Sequence, residues 1–185
     1  ESIRLAVFIN NEAYLSRYWG NLTDRFWSPL LELFKANGWQ VLEWSNLRVS
    51  NVDSMLHQIL QFLSGTQDST VVVYLSCHSQ MVWGCPQFIP SDASRWGDGY
   101  SIFDLVRKIS EMNCRGVRIH VMLNGCMEFP GRLERWIWWW KYGRTQENFR
   151  LSSGQMLRRS EAKAWILFAC HPGRRVSGDA FTRKV

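Results

Sequence analysis

No stretch of this 185-residue chain offers the ~20 consecutive apolar residues that a membrane-spanning helix needs. The opening ESIRLAVFIN has no basic segment followed by a longer apolar one and a small-residue cleavage site, so no signal peptide is expected. The five cysteines (Cys77, Cys85, Cys114, Cys126 and Cys170) are odd in number and contain no CxxC pair. That pattern argues against a disulfide framework or a zinc site, and predicts reduced thiols in a cytoplasmic protein. An Asp-rich loop of the DxDxDG type is missing as well, so no metal or other cofactor is expected. Internal repeats and blocks of like charge are also absent. The net charge of +6 is scattered; without zinc-finger spacing or an RNP-like aromatic signature, it predicts no nucleic-acid partner.

What is present is enough apolar material, 46% of the residues, to bury the core of a single domain over residues 1–185. Ile3 to Ile9 reads as a first strand and Trp39 to Trp44 as a second. Between them, Ser28 as N-cap with Pro29 behind it starts a helix, since a proline there gives up an N–H that has no partner in the first turn. Trp27, Leu30, Leu31 and Phe34 supply its apolar face and Gly38 its stop. Val52, Met55, Leu56, Ile59, Leu60 and Leu63 fall at helical spacing, with Ser50 and Asp53 as a capping pair. Val71 to Leu75 has the β-branched, uninterrupted apolar character of a strand covered on both faces, which belongs to a parallel sheet. Val82 to Ile89 predicts a hairpin around Gly84. Ser101 and Asp104 predict the cap of a helix burying Ile102, Leu105, Val106 and Ile109. Arg118 to Leu123 and Trp165 to Ala169 complete the strands. Alternating strands and helices predict an α/β sandwich: a mostly parallel central sheet with helices on both faces.

Between the last two strands, roughly Met127 to Ala164, no regular pattern holds, and loops of that length are usually functional. It contains ERWIWWWKYG. Leu133, Trp136, Ile137 and Trp140 fit one helix face, which either covers the sheet edge or forms a partner surface.

Two strands end on chemistry. VVVYLSCHSQ runs into His78 and VMLNGCM into Cys126, 48 positions later. Consecutive parallel strands joined by one crossover helix often lie side by side, which brings both residues to the same carboxyl edge of the sheet. A thiol of pKa ~8.5 is mostly protonated at neutral pH, and a neighbouring imidazole can take its proton during attack and later protonate the leaving group.

The order of these segments resembles the caspase-like cysteine peptidases, and paracaspases and metacaspases more than true caspases. RLAVFINNEAY is similar to the family's opening strand and Gly-Asn-x-x-Tyr loop, and WSPLLELFKANGWQVLEWSNLRVSNVDSML to its first helix, second strand and second helix. VVVYLSCHSQ stands where the family has a strand ending in Ser-Gly-His-Gly, FIPSDA at its Pro-x-Asp-Ala segment, and VMLNGCM at the strand before the catalytic cysteine. WILFACHPGRRVSGDAFT resembles the strand after the processing loop.

The resemblance implies a sheet of about six strands and a cysteine endopeptidase acting on a protein or peptide substrate. His78 would be the general base and Cys126 the nucleophile, with the backbone N–H groups of Ser79 and Cys126 holding the oxyanion. Asn124 stands where paracaspases and metacaspases carry an aspartate for a basic P1 side chain, and Asp24 lies near a second such acid. Residues 127–164 take the place of the processing loop, in which Arg158 and Arg159 offer a cut site. Family members dimerise through a final strand. Three positions depart from the pattern: Cys77 and Ser79 replace the glycines flanking the histidine, and Asn124 replaces the aspartate. Those departures support the alternative of an inactive, caspase-like scaffold that binds partners through its tryptophan-rich stretch.

Overall fold

The apolar runs along the chain become strands that lie parallel and side by side. The computed structural model describes residues 2–17, 19–24, 27–95, 98–111, 116–128, 132–133, 136, 140 and 163–169. In chain order the elements are β1 (Arg4–Asn10), α1 (Trp27–Ala36), β2 (Gln40–Ser45), a 3-10 turn (Val49–Asn51), α2 (Val52–Leu63), β3 (Thr70–Ser76), β4 (Ser79–Val82), β5 (Cys85–Phe88), β6 (Tyr100–Ser101), α3 (Ile102–Glu111), β7 (Arg118–Asn124), β8 (Met127–Glu128) and β9 (Lys163–Phe168). Five of them form one parallel sheet in the order β2-β1-β3-β7-β9. A smaller sheet, β6-β5-β4-β8, stands at its carboxyl end.

The two faces of the large sheet are sorted by the period of two along each strand. Ala6, Phe8 and Tyr74 face α1, where Leu31 is buried with Trp27, Leu30 and Phe34 around it. Phe8 meets the edges of Trp27 and Phe34 at 5.2 and 5.5 Å between ring centres. The alternate residues, among them Val7, Ile9, Val73, Leu75, Val121 and Leu123, pack against Met55, Leu56 and Ile59 of α2 and Leu105, Val106 and Ile109 of α3. Each such side chain contributes about 1.5–3 kcal/mol by leaving water. The result is three layers, with α1 on one face and α2 and α3 on the other. The expected α/β sandwich with helices on both faces is therefore present.

Several local expectations hold. Ser101 Oγ accepts the Asp104 N–H at 3.0 Å, capping α3. The β4–β5 hairpin turns at Trp83 and Gly84, both at positive φ (49° and 80°), as its two-residue loop requires. Gly38, at φ 73°, ends α1.

Others need correction. Ser50 and Asp53 do not cap α2: the helix is entered through the 3-10 turn, Asn51 is its N-cap residue without a side-chain bond, and Asp53 instead pairs with Lys108 of α3. Helix α1 begins at Trp27, so Ser28 and Pro29 both sit inside its first turn. The stretch from Met127 to Ala164 is not irregular at its ends, because 127–128 is β8 and 163–164 opens β9. Leu133, Trp136 and Trp140 are exposed, so these three do not cover a sheet edge. Ile137, Trp138, Trp139, Arg158, Arg159 and the segment after Ala169 lie outside the described residues. Among the described residues, no helix is long and apolar enough to cross a membrane.

Candidate active site

Strands β3 and β7 are direct neighbours, and their parallel register ends with Ser76 opposite Asn124. Three residues further on, the same two chain segments pair again, now as β4 and β8, with Ser79 opposite Met127. Both segments thus advance in step from the large sheet into the small one. His78 and Cys126 each stand two positions beyond the last pair of the first ladder and one before the first pair of the second. Neither residue could shift alone without breaking a ladder.

The approach of the two segments depends on Gly125. A Cβ built on it would lie 2.1 Å from the Cys77 carbonyl oxygen, a backbone atom that has nowhere to go. Ser79 Oγ completes the connection by donating a 2.5 Å hydrogen bond to the Cys126 carbonyl. Ser79 itself is only 2% exposed, while Cys126 is half-buried.

The imidazole of His78 is fixed from three sides. Its backbone N–H donates to Tyr14 Oη at 2.9 Å, and the rings of Tyr14 and Trp19 lie 5.0 and 5.4 Å from its own. Nε2 is 2.8 Å from the Gly20 carbonyl oxygen. A carbonyl can only accept, so Nε2 carries the proton and the lone pair of the neutral ring is on Nδ1. That is the tautomer a base needs when its other nitrogen is held by a fixed acceptor. The Ile89 N–H donates to the His78 carbonyl at 2.8 Å, pointing that carbonyl towards β5. In a trans peptide the following N–H points the opposite way, so the N–H of Ser79 is directed to the β8 side, where the parallel ladder gives it the Cys126 carbonyl as acceptor.

A second polar group gathers on the α1 face of the same edge. Tyr74 Oη donates to Asp24 Oδ2 at 2.7 Å, while Asn124 Nδ2 donates to Asp24 Oδ2 at 3.1 Å and to Tyr74 Oη at 2.9 Å. Asp24 and Asn124, 100 positions apart in sequence, are therefore in contact. Burial first, and then the charge of Asp24, push the Tyr74 hydroxyl well above its usual pKa, so it remains a donor. The neighbouring Cys77 is different in character from Cys126. Its side chain is fully buried and burial pushes its thiol up to about 12, which makes it a core residue.

Cys77 and Ser79, which flank His78, carry no backbone strain: neither is among the described non-glycine residues with positive φ, which are Asn46, Asp68 and Trp83. Of the residues singled out from sequence, His78, Ser79 and Cys126 come together at one edge, with Asn124 and Asp24 beside them. Arg158 and Arg159 fall outside the described residues. Sequence reasoning missed Gly20, Trp19 and the contact role of Gly125. A backbone carbonyl leaves no mark in sequence, whereas the glycine directly before Cys126 was a visible signal. In sequence, Tyr74 marks only a strand.

No protein-family model matches the chain, and no curated protein is significantly similar to it. Among solved structures it is similar to protein GSU0716 from Geobacter sulfurreducens, with a TM-score of 0.54 and 11% identity over 91% of this chain and 71% of that one. At that identity the likeness concerns the fold alone, an α/β arrangement shared over most of both chains.

Proposed function

We propose that this chain is a caspase-like cysteine endopeptidase domain with Cys126 as nucleophile and His78 as general base. The observation that carries the reading is the shared register, which sets the base and the thiol at equal depth beyond two neighbouring parallel strands. Nδ1 of His78 takes the thiol proton as Cys126 Sγ attacks the scissile carbonyl. The oxyanion forms within reach of the Cys126 N–H, and the Ser79 N–H joins it on leaving the β4–β8 ladder. The imidazolium then returns its proton to the departing amine as the C–N bond breaks, leaving a thioester that water hydrolyses by the same route.

The P1 side chain would contact Asp24 and Asn124. Asn124 is neutral, but its amide is bonded to the Asp24 carboxylate, so a negative charge remains at this wall and favours an arginine or lysine. With that preference, the bond after Arg159 in residues 127–164 is a candidate for self-cleavage.

Labelling with peptide acyloxymethyl ketones bearing Arg, Lys, Asp or Leu at P1 tests the reading, with Cys126→Ala as control. Labelling by the Arg or Lys probe that disappears in the control is the expected result. Labelling only by the Asp or Leu probe would keep the peptidase and remove the basic P1. No labelling of folded protein by any probe would overturn the enzyme reading in favour of the scaffold alternative.

A further inference from the structure

A small apolar cluster beside His78 carries one more role, which rests on the reading of this histidine as the general base. We propose that Trp19 is a positioning residue for His78: its indole is a wall for the imidazole, and its burial holds the Gly20 carbonyl to which the ring donates.

Three hydrogen-bonding groups of His78 are held from one place. Trp19, Ile89 and Ala93 are 6%, 0% and 3% exposed and form a core of their own, apart from the two larger ones on the faces of the sheet, with Tyr14 packed against it. The Ile89 N–H donates to the His78 carbonyl at 2.8 Å. Tyr14 Oη accepts the His78 N–H at 2.9 Å. The residue after Trp19 offers the carbonyl that lies 2.8 Å from Nε2. The cluster is thus built around the histidine.

Gly20 has no packing of its own. It is exposed, and a Cβ built on it would meet nothing within 4 Å. Its neighbours along the chain must place it. Trp19, one peptide away, is buried, and on the other side the Leu22 N–H donates to the Glu12 carbonyl at 3.0 Å. The indole is therefore the nearest apolar anchor of the acceptor.

The same indole meets the ring itself. Tyr14 and Trp19 lie 5.0 and 5.4 Å from the imidazole and 6.5 Å from each other. Rings on its two opposite faces would stand about 10 Å apart, so these two meet as walls of a corner. The Tyr14 hydroxyl is engaged by the histidine backbone. Rotation of an imidazole about its Cβ–Cγ bond has only broad preferences, so packing must choose the angle. The Trp19 wall limits that rotation, and with it the direction of the Nδ1 lone pair. Trp19 transfers no proton. It acts through His78.

Trp19→Leu keeps the cluster apolar without a ring. Trp19→Met fills the space with a flexible chain and takes its place should the leucine variant fail to fold. Trp19→Phe keeps an aromatic wall. Each is read in the full chain by the 15N shift of His78 Nε2 in the neutral ring, which reports the bond to Gly20. The kcat and KM for peptide amides bearing Arg, Lys, Asp or Leu at P1 give the second reading.

In Leu and Met the Nε2 shift is expected to move towards that of a histidine free in water. The kcat should fall about fivefold, the equivalent of one hydrogen bond, with KM within about twofold, and Phe should return both readings most of the way. An unmoved shift would overturn the proposal and leave Trp19 as packing alone. A moved shift with unchanged kcat would also overturn it, as would a phenylalanine variant as impaired as the leucine one. The nitrogen shift needs no substrate, which keeps this apart from the peptidase reading. A wild type that cleaves none of the peptides removes that reading, and the hold of Trp19 on the ring then stands or falls on the shift and its return in Phe.

Discussion

Gly125 is the residue where a single carbon would do most harm. Its absent Cβ would sit 2.1 Å from a backbone oxygen of the histidine segment, and that oxygen cannot rotate aside as a flexible side chain would. Gly125→Ala is therefore expected to cost about 1–3 kcal/mol by overpacking, and to part His78 from Cys126. Urea unfolding and the Cys126 alkylation rate would read the two effects. A variant as stable and as reactive as the parent would show that the segments do not touch. Cys77 poses the opposite case, a thiol without chemistry. Folding raises its pKa from 9.0 to about 12, so at pH values between these the folded state holds a proton that the unfolded state has released. Stability contributed by this group is complete below pH 9 and falls as pH climbs towards 12. The buried hydroxyls of Tyr14 and Tyr74, also shifted upwards, act in the same direction. Urea midpoints taken from pH 8 to 11 should decline, and less steeply in Cys77→Ala; parallel declines would refute the assignment.

Among the elements, the hairpin of β4 and β5 and the start of α3 show how much local sequence decides. Trp83 occupies a left-handed position at the hairpin tip and is 69% exposed, so it loses backbone energy and recovers little by burial. Trp83→Asn should raise stability by about 0.5–1 kcal/mol, measured by thermal unfolding; a fall would mean that the indole packs on something this turn needs. Ser101→Ala should cost about 1 kcal/mol because its hydroxyl caps α3, while Ser50→Ala should cost almost nothing because α2 makes no use of it. The two serines look alike in sequence, each three residues ahead of an aspartate. They diverge because Asp53 is drawn to Lys108 across the α2–α3 contact, a partner 55 positions away. Periodicity made the strands and helices legible for the same reason that it builds them: a face must be apolar to be buried. It could place His78 and Cys126 at strand ends for that reason too. Carbonyl partners such as that of Gly20, and the closure of Asp24 on Tyr74 and Asn124, were out of reach because they follow from three-dimensional approach between distant segments. The two-residue strand β8 was equally hidden, since a ladder so short has no period of its own.

For the molecule as a whole, the sheet is ordered from its centre outward. β3 is buried along six of its seven residues, while β2, at one end of the sheet, has no fully buried position. Native-state hydrogen exchange should therefore be slowest in β3 and its neighbours β1 and β7, and markedly faster in β2. Equal protection across these strands would mean that the sheet opens as one unit. β9, at the other end, carries Trp165 and Leu167 at 68% and 51% exposure, so its outer face adds little to the core. The matched advance of the two central segments into the small sheet has a further consequence in time. Thiol and imidazole are 48 positions apart in the chain and have no local reason to meet. They become neighbours only when β3 and β7 pair in the native register, because a slip of one residue would turn Asn124 to the face away from Tyr74 and strand Cys126 one step out of line. On the proposed peptidase reading, a refolding chain would acquire acyl-transfer activity only when its sheet closed correctly. Timed additions of an alkylating reagent would then report on assembly itself: Cys77, open in the unfolded chain, escapes labelling from the moment the sheet closes over it, and so serves as a stopwatch for the protein's own folding.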